Sequence, residues 1–138
     1  MADGLLDTNI FIHAPTSDSH SEECRRFLAA LEAGTVRAVL ETLVLHELSY
    51  ALPHYLKQLT RADVAIYLLT VLSWRGGLGE KDLMADSVQR WAQTPGLSFA
   101  DAYLAALAAM RGSPVFTRNR HELAAQGVDV PSRLPHGA

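Results

Sequence analysis

Three acidic side chains in the sequence are placed where they could bind a divalent cation together. Asp7 ends the short apolar run GLLD, Glu47 lies within VLHELSY, and Asp101 opens the apolar segment 102–110. Carboxylates gathered in one crevice repel one another unless a cation lies among them, and hard oxygen ligands select Mg²⁺ or Mn²⁺. These ions catalyse phosphoryl transfer, so the three acids favour a metal-dependent nuclease.

Each of these acids also has an ordinary structural interpretation. Asp7 could cap the helix that follows it, and Asp101 completes the sequence SFAD, which has the form of a capping box. Glu47 could be an exposed residue of an amphipathic helix. The pair His46-Glu47 does not begin a zinc-protease motif, because residue 50 is tyrosine and not histidine. The hypothesis therefore depends on the acids in combination.

The elements that must position these acids alternate between short strands and longer helices. The apolar runs predict strands at residues 5–6, 35–40, 115–117 and 128–130, and helices at 19–33, 42–58, 60–74, 80–93 and 98–110. Pro53 is expected to kink the second helix, and Thr60 with Asp63 predicts a capping box before the third. This alternation is typical of a parallel sheet covered by helices, so we expect an α/β fold with three α/β/α layers. The segment 76–79, GGLG, is expected to be a flexible joint between helices.

Composition limits the class of protein. The 138 residues are 49% hydrophobic, which predicts one domain spanning residues 1–138. No apolar segment approaches the roughly 20 residues of a bilayer span, no signal peptide is evident, and Cys24 is the only cysteine, so we expect a cytoplasmic protein without membrane contact. A net charge of −3 means that any nucleic-acid binding must depend on a local basic patch or on metal ions.

Three motifs of the chain resemble the PIN-domain family, and within it the VapC-type ribonuclease toxins of type II toxin–antitoxin pairs. The stretch LLDTNIFI is similar to the family's first strand and acid, VLHELSY to its second acidic motif, and SFADAYLAALAAMRGSPVFTRN to its third. The resemblance implies a PIN-like fold with a short parallel central sheet. It also implies an endoribonuclease in which Asp7, Glu47 and Asp101 are catalytic, bind Mg²⁺ or Mn²⁺, and support hydrolysis of RNA by a metal-activated water. Either Glu47 or Asp101 could also orient the nucleophile.

The chain departs from the family pattern after the predicted strand 115–117. The family usually has Thr-x-Asp there, whereas this sequence reads Thr117-Arg118-Asn119. The carbonyl of Asn119 could still ligate Mg²⁺, but it brings no charge, so one or two metal ions remain possible. Glu122 could partly replace the missing acid, although an exposed helix acid is the preferred interpretation.

Further residues are expected to support the site. Asn9 matches a family position from which its amide would hold the Asp7 carboxylate, and Thr8 and Thr117 could hydrogen-bond ligands or phosphate. Arg118 and Arg120 flank Asn119 and could contact RNA phosphate, with solvated surface arginines as the alternative. The expected RNA-contacting and supporting residues are therefore Asn9, Thr8, Thr117, Arg118 and Arg120.

The resemblance also implies protein partners, namely a cognate antitoxin and a second copy in a homodimer. The apolar stretches 50–56 and 64–69 could contribute to such contacts, although core packing is the stronger interpretation for most of their residues. A rival hypothesis is a catalytically weakened PIN-like RNA-binding or protein-interaction module, suggested by Asn119. A metal-dependent phosphatase on another α/β fold is disfavoured, because Asn9 stands where a DxD motif would have its second acid.

Overall fold

A short parallel sheet with three strands lies at the centre of the fold. The computed structural model describes residues 3–137, and its strands are β1 (Gly4–Leu5), β2 (Ala38–Val39) and β3 (Gly77–Leu78). β2 lies between the other two and pairs in parallel with both, with Ala38 opposite Gly4 on one side and Gly77 on the other. Helices cover this sheet, and the expected three-layer α/β/α class is confirmed.

Seven helices lie within residues 3–137. They are α1 (Thr8–His13), α2 (Ser21–Ala33), α3 (Thr42–Tyr55), α4 (Arg61–Leu72), α5 (Lys81–Gln93), α6 (Phe99–Arg111) and α7 (Arg120–Ala124). The five longer helices, α2 to α6, coincide with the five predicted from the sequence. Pro53 lies inside α3, which ends at Tyr55 and so stops short of the predicted boundary at residue 58.

Side-chain caps explain where two of these helices begin. The Thr60 hydroxyl accepts the Asp63 backbone N–H at 3.1 Å, and the Asp63 carboxylate accepts the Thr60 N–H at 2.9 Å, which confirms the predicted capping box of α4. Hydrogen bonding of the Asp63 carboxylate to Thr60, first to its backbone N–H and then to its side chain, lowers the pKa of Asp63. Ser98 caps α6 by accepting the Asp101 N–H at 3.1 Å. The Asp101 carboxylate, in contrast, bonds elsewhere, so only half of the expected box forms.

The glycine-rich segment 76–79 contains the third strand, and the prediction of a flexible joint was wrong. The backbone N–H of Ala38 donates to the Gly76 carbonyl, and that of Leu40 donates to the Leu78 carbonyl, both at 2.9 Å. A Cβ on Gly76 would lie 2.0 Å from the carbonyl oxygen of Val36. Gly79 has φ +135°, a conformation that L side chains rarely adopt. Glycine is required here because two backbones approach closely.

The predicted strands at 115–117 and 128–130 are not strands in the structure. One backbone hydrogen bond joins them, from the Val115 N–H to the Asp129 carbonyl at 2.9 Å. Pro131, two residues after Asp129, has no backbone N–H to donate to a further ladder hydrogen bond. Val115, Val128 and Val130 instead pack in a small apolar cluster with α6 and Leu123.

Most of the core lies between the helices. α5 and α6 form the most extensive helix contact, and α3 packs against α1, α4 and α6. Four buried alanines on α6, at 102, 105, 106 and 108, leave room for the close approach of its neighbours. Cys24 is a buried part of the main core. Within the described residues, no helix is long and apolar enough to cross a bilayer.

Candidate active site

A groove between α1 and α3 brings two of the predicted acids together. Asp7 and Glu47 both line it, and its volume is about 620 Å³. Asp7 comes two residues after β1, and α3, which carries Glu47, begins three residues after β2. Both acids therefore lie beyond the carboxyl edge of the sheet, the usual position of ligand sites in open parallel sheets. We call this cavity the α1–α3 groove.

Asp7 also has the capping role that its sequence context allowed. It is the N-cap of α1, and its Oδ1 accepts the Thr8 backbone N–H at 2.7 Å. The expected hydrogen bond from the Asn9 amide to this carboxylate is not formed among the described residues. Asn9 is exposed and lines the groove beside Asp7.

Thr8 lines the same groove, but its hydroxyl oxygen is buried. Its side chain is 7% exposed, and its Oγ1 has no hydrogen-bond partner among the described residues. A buried hydroxyl without a partner carries a desolvation cost of about 1–3 kcal/mol.

A second group of acids is joined by the Asn119 amide. Asn119 Nδ2 donates to Asp101 Oδ2 at 3.1 Å and to Glu122 Oε2 at 2.8 Å. Thr117 orients this residue, because its Oγ1 accepts the Asn119 backbone N–H at 2.9 Å. We call Asp101, Asn119 and Glu122 the acid–amide cluster. Its amide nitrogen lies between two carboxylates and offsets their repulsion with hydrogen bonds in place of positive charge.

An aromatic contact connects the helices that carry the two groups of acids. His46, which precedes Glu47, stacks on Phe99, two residues before Asp101, with ring centroids 5.7 Å apart and planes inclined by 24°. This contact joins the N-terminal halves of α3 and α6.

The donor chemistry fits Mg²⁺ or Mn²⁺, because Asp7, Glu47 and Asp101 all offer hard carboxylate oxygens. Over residues 3–137, however, no three His, Cys, Asp or Glu side chains lie close enough together to form a preassembled metal site. The structure thus brings the acids together in two groups.

The two predicted RNA-binding arginines differ in their surroundings. Arg120 donates a guanidinium hydrogen bond to the backbone carbonyl of Ser132 and so attaches α7 to the C-terminal segment. Arg118 is exposed and has no ion pair within the described part of the chain. Of the two, Arg118 is better able to reach a phosphate.

Asp7 also borders a second groove, of about 500 Å³, which contains a histidine–aspartate pair. His13 Nδ1 lies 2.7 Å from Asp18 Oδ2, and the His20 backbone N–H donates to Asp18 Oδ1 at 2.8 Å. These hydrogen bonds hold the pKa of Asp18 well below its usual range, and the bond to His13 has the largest effect. His13 lines both grooves.

Sequence reasoning missed three residues of the groove wall. Tyr50, His54 and Tyr55 line the α1–α3 groove with Glu47, although the segment had been interpreted as core or partner surface. Their spacing from Glu47, at three, seven and eight residues, matches one face of a helix and was the available signal.

Comparison with known protein families gives the class of the protein. The PIN domain family matches residues 4–126, which is most of the chain, and the protein belongs to this family. PIN domains are generally nucleases, hydrolases that use divalent metal ions. No curated protein matches the chain. No solved structure matches it.

Proposed function

We propose that this protein is an endoribonuclease dependent on Mg²⁺ or Mn²⁺, and that it is the VapC-type toxin of a type II toxin–antitoxin pair in the cytoplasm. The observation that carries the proposal is the shared groove of Asp7 and Glu47 beyond the carboxyl edge of the sheet. Membership of a nuclease family supports hydrolysis as the reaction.

In this proposal Asp7, Glu47 and Asp101 hold the metal. The bound ion would neutralise phosphate charge and supply a water nucleophile at neutral pH. Asn119 is the fourth ligand candidate, although its amide nitrogen faces the acids in this structure, so its carbonyl would have to rotate toward the ion. Thr117 keeps Asn119 in position, while Thr8 and Asn9 offer polar groups beside Asp7.

Phosphate binding would depend on local cations, because the net charge of the chain is −3. Arg118, which is exposed, is the stronger candidate for this contact. Arg120 would add positive charge near the phosphate while its guanidinium stays bonded to the Ser132 carbonyl. A phosphate contact of this kind positions RNA without selecting its sequence. We further propose a cognate antitoxin and a homodimer as partners, on the strength of the toxin resemblance.

The test is cleavage of pooled structured RNA by the purified protein. We expect cleavage with Mg²⁺ or Mn²⁺, none with EDTA, and a loss of at least about a hundredfold in Asp7→Asn, because that change removes a charged ligand. Asp82→Asn is the matched control, since Asp82 is an exposed acid that lines a different groove. Equal cleavage by wild type and Asp7→Asn would contradict the proposal.

The Asn119 amide favours one alternative function, a PIN-like RNA-binding or protein-interaction module with weakened catalysis. The amide already satisfies Asp101 and Glu122 by hydrogen bonds, so these acids have less need of a cation. The module hypothesis predicts RNA or protein binding by the wild type without cleavage under any metal condition.

A further inference from the structure

Two exposed tyrosines lie on the wall of the α1–α3 groove. Tyr50 is 57% exposed and Tyr55 is 63% exposed, and both line the groove that contains Asp7 and Glu47. Single exposed apolar residues are common on protein surfaces and need no explanation. Two aromatic rings in the same groove as the candidate catalytic acids are a more specific observation.

The tyrosines follow Glu47 along one side of α3. At a rise of 1.5 Å per residue, Tyr50 lies about 4.5 Å and Tyr55 about 12 Å along the helix axis from Glu47. α1 forms the opposite wall with Asp7, Asn9 and neighbouring residues. A strand of nucleic acid with its reacting phosphate at the acids would therefore pass first Tyr50 and then Tyr55.

Both tyrosine rings pack against a histidine. His46 and Tyr50 meet edge to face with centroids 5.7 Å apart, and His46 in turn stacks on the buried Phe99. His54 and Tyr55 meet edge to face at 4.9 Å. These contacts restrict the ring orientations, so less conformational entropy is lost when a ligand stacks on them.

The exposed part of this wall is aromatic and polar. Of the aliphatic residues in the groove lining, Ala51 is buried and Ile12 is half-buried, whereas both tyrosines are exposed, and an acid, Glu47, lies one turn from Tyr50. A peptide ligand would be expected to meet exposed aliphatic side chains, whereas a nucleobase needs a flat ring face and tolerates nearby carboxylates because it is uncharged. The composition of the wall favours a base.

We propose that Tyr50 and Tyr55 form a nucleobase-binding subsite, in which Tyr50 stacks on a base next to the scissile phosphate and Tyr55 on a base farther along. This inference rests on the proposed ribonuclease function. It assigns to the two tyrosines the role of holding the RNA strand beside the acids of the α1–α3 groove. Removing one stacked base–aromatic contact is expected to weaken RNA binding about 5- to 140-fold, corresponding to about 1–3 kcal/mol.

The experiment measures fluorescence anisotropy of a labelled single-stranded RNA of about twelve nucleotides in EDTA, where no metal-dependent cleavage can interfere. Tyr50→Leu and Tyr55→Leu remove the ring, and Tyr50→Phe keeps it. Phe116→Leu is the matched control, because Phe116 is 58% exposed and lines another groove. A second RNA of equal length carries abasic nucleotides, so that a purely structural effect of the substitutions can be recognised.

We expect Tyr50→Leu and Tyr55→Leu to bind the intact RNA more weakly, and Tyr50→Phe and Phe116→Leu to bind it like the wild type. The abasic RNA should bind weakly to every variant, with no further loss in Tyr50→Leu. Equal losses on both RNAs would overturn the proposal, as would unchanged affinity of both leucine variants for the intact RNA. A changed oligomeric state in the leucine variants with unchanged RNA affinity would identify a protein interface instead. Because this assay needs no turnover, its outcome is independent of whether the protein cleaves RNA.

Discussion

Replacing Asn119 by aspartate would exchange the shared donor of the acid–amide cluster for a third carboxylate. The amide nitrogen lies 3.1 Å from Asp101 and 2.8 Å from Glu122. Two exposed hydrogen bonds, each of about 0.5–1 kcal/mol, would be lost. Two like charges about 3 Å apart in water repel by about 1.4 kcal/mol per pair before the side chains rotate away. We therefore expect Asn119→Asp to lose about 1–2 kcal/mol of unfolding free energy without metal.

The assay is urea unfolding followed by tryptophan fluorescence, first in EDTA and then with Mg²⁺. Because Trp74 and Trp91 are both buried, their emission should report global unfolding. A cation would stabilise three carboxylates more than two carboxylates and an amide, so Mg²⁺ should reduce the deficit of Asn119→Asp. Calorimetric titration should find tighter Mg²⁺ binding in the variant than in the wild type.

Two variants serve as controls for this prediction. Asn119→Ala removes the hydrogen bonds without adding charge, so its deficit should be smaller and should not respond to Mg²⁺. The double variant Asp101→Asn with Asn119→Asp returns an amide to the cluster and should recover part of the lost stability in EDTA. Wild-type stability of Asn119→Asp in EDTA would refute the bridging role of the amide. A deficit that Mg²⁺ leaves unchanged would refute the cluster as a cation site.

Two further predictions concern packing. Gly76→Ala should cost about 3 kcal/mol or prevent folding, because its Cβ would lie 2.0 Å from the Val36 carbonyl; Gly4→Ala, which has nothing within 4 Å, should melt like the wild type. Arg61→Met should lower the unfolding free energy by about 2–4 kcal/mol in urea titrations. The guanidinium, whose pKa is lowered by burial, donates twice to the Trp91 carbonyl and lies 4.5 Å from the Trp91 ring centroid. A loss below about 1 kcal/mol would contradict this account.

The sequence predicted the helices well because their signals are local. Thr60 and Asp63 are three residues apart, and Gly112 adopts φ +66° immediately after α6. The strands are only two residues long, too short for a periodic pattern. Gly77–Leu78 pairs with Ala38–Val39, although the two segments are about 39 positions apart in the sequence. No local sequence pattern predicts that these two backbones approach each other.

One feature of the candidate site, the common position of two acids, could also be predicted. Asp7 and Glu47 could be expected at one edge because each follows a predicted strand, and the groove they share agrees with that reasoning. The bridge from Asn119 to Glu122 could not be foreseen, since it depends on the rotamer of an amide. The hydrogen bond from Asn119 to Asp101 could not be foreseen either, because it depends on how α6 and α7 lie relative to each other.

The brevity of the strands has a mechanical consequence. With two residues in each of β1, β2 and β3, the sheet contributes few hydrogen bonds, and Glu47 and Asp101 are attached to helices whose positions depend on side-chain packing. Thermal motion at the acids should therefore follow the sliding of α3, α5 and α6 against one another. The distance between the two groups of acids therefore depends on how the helices pack. A substitution in the α5–α6 contact could change this distance without contacting either group.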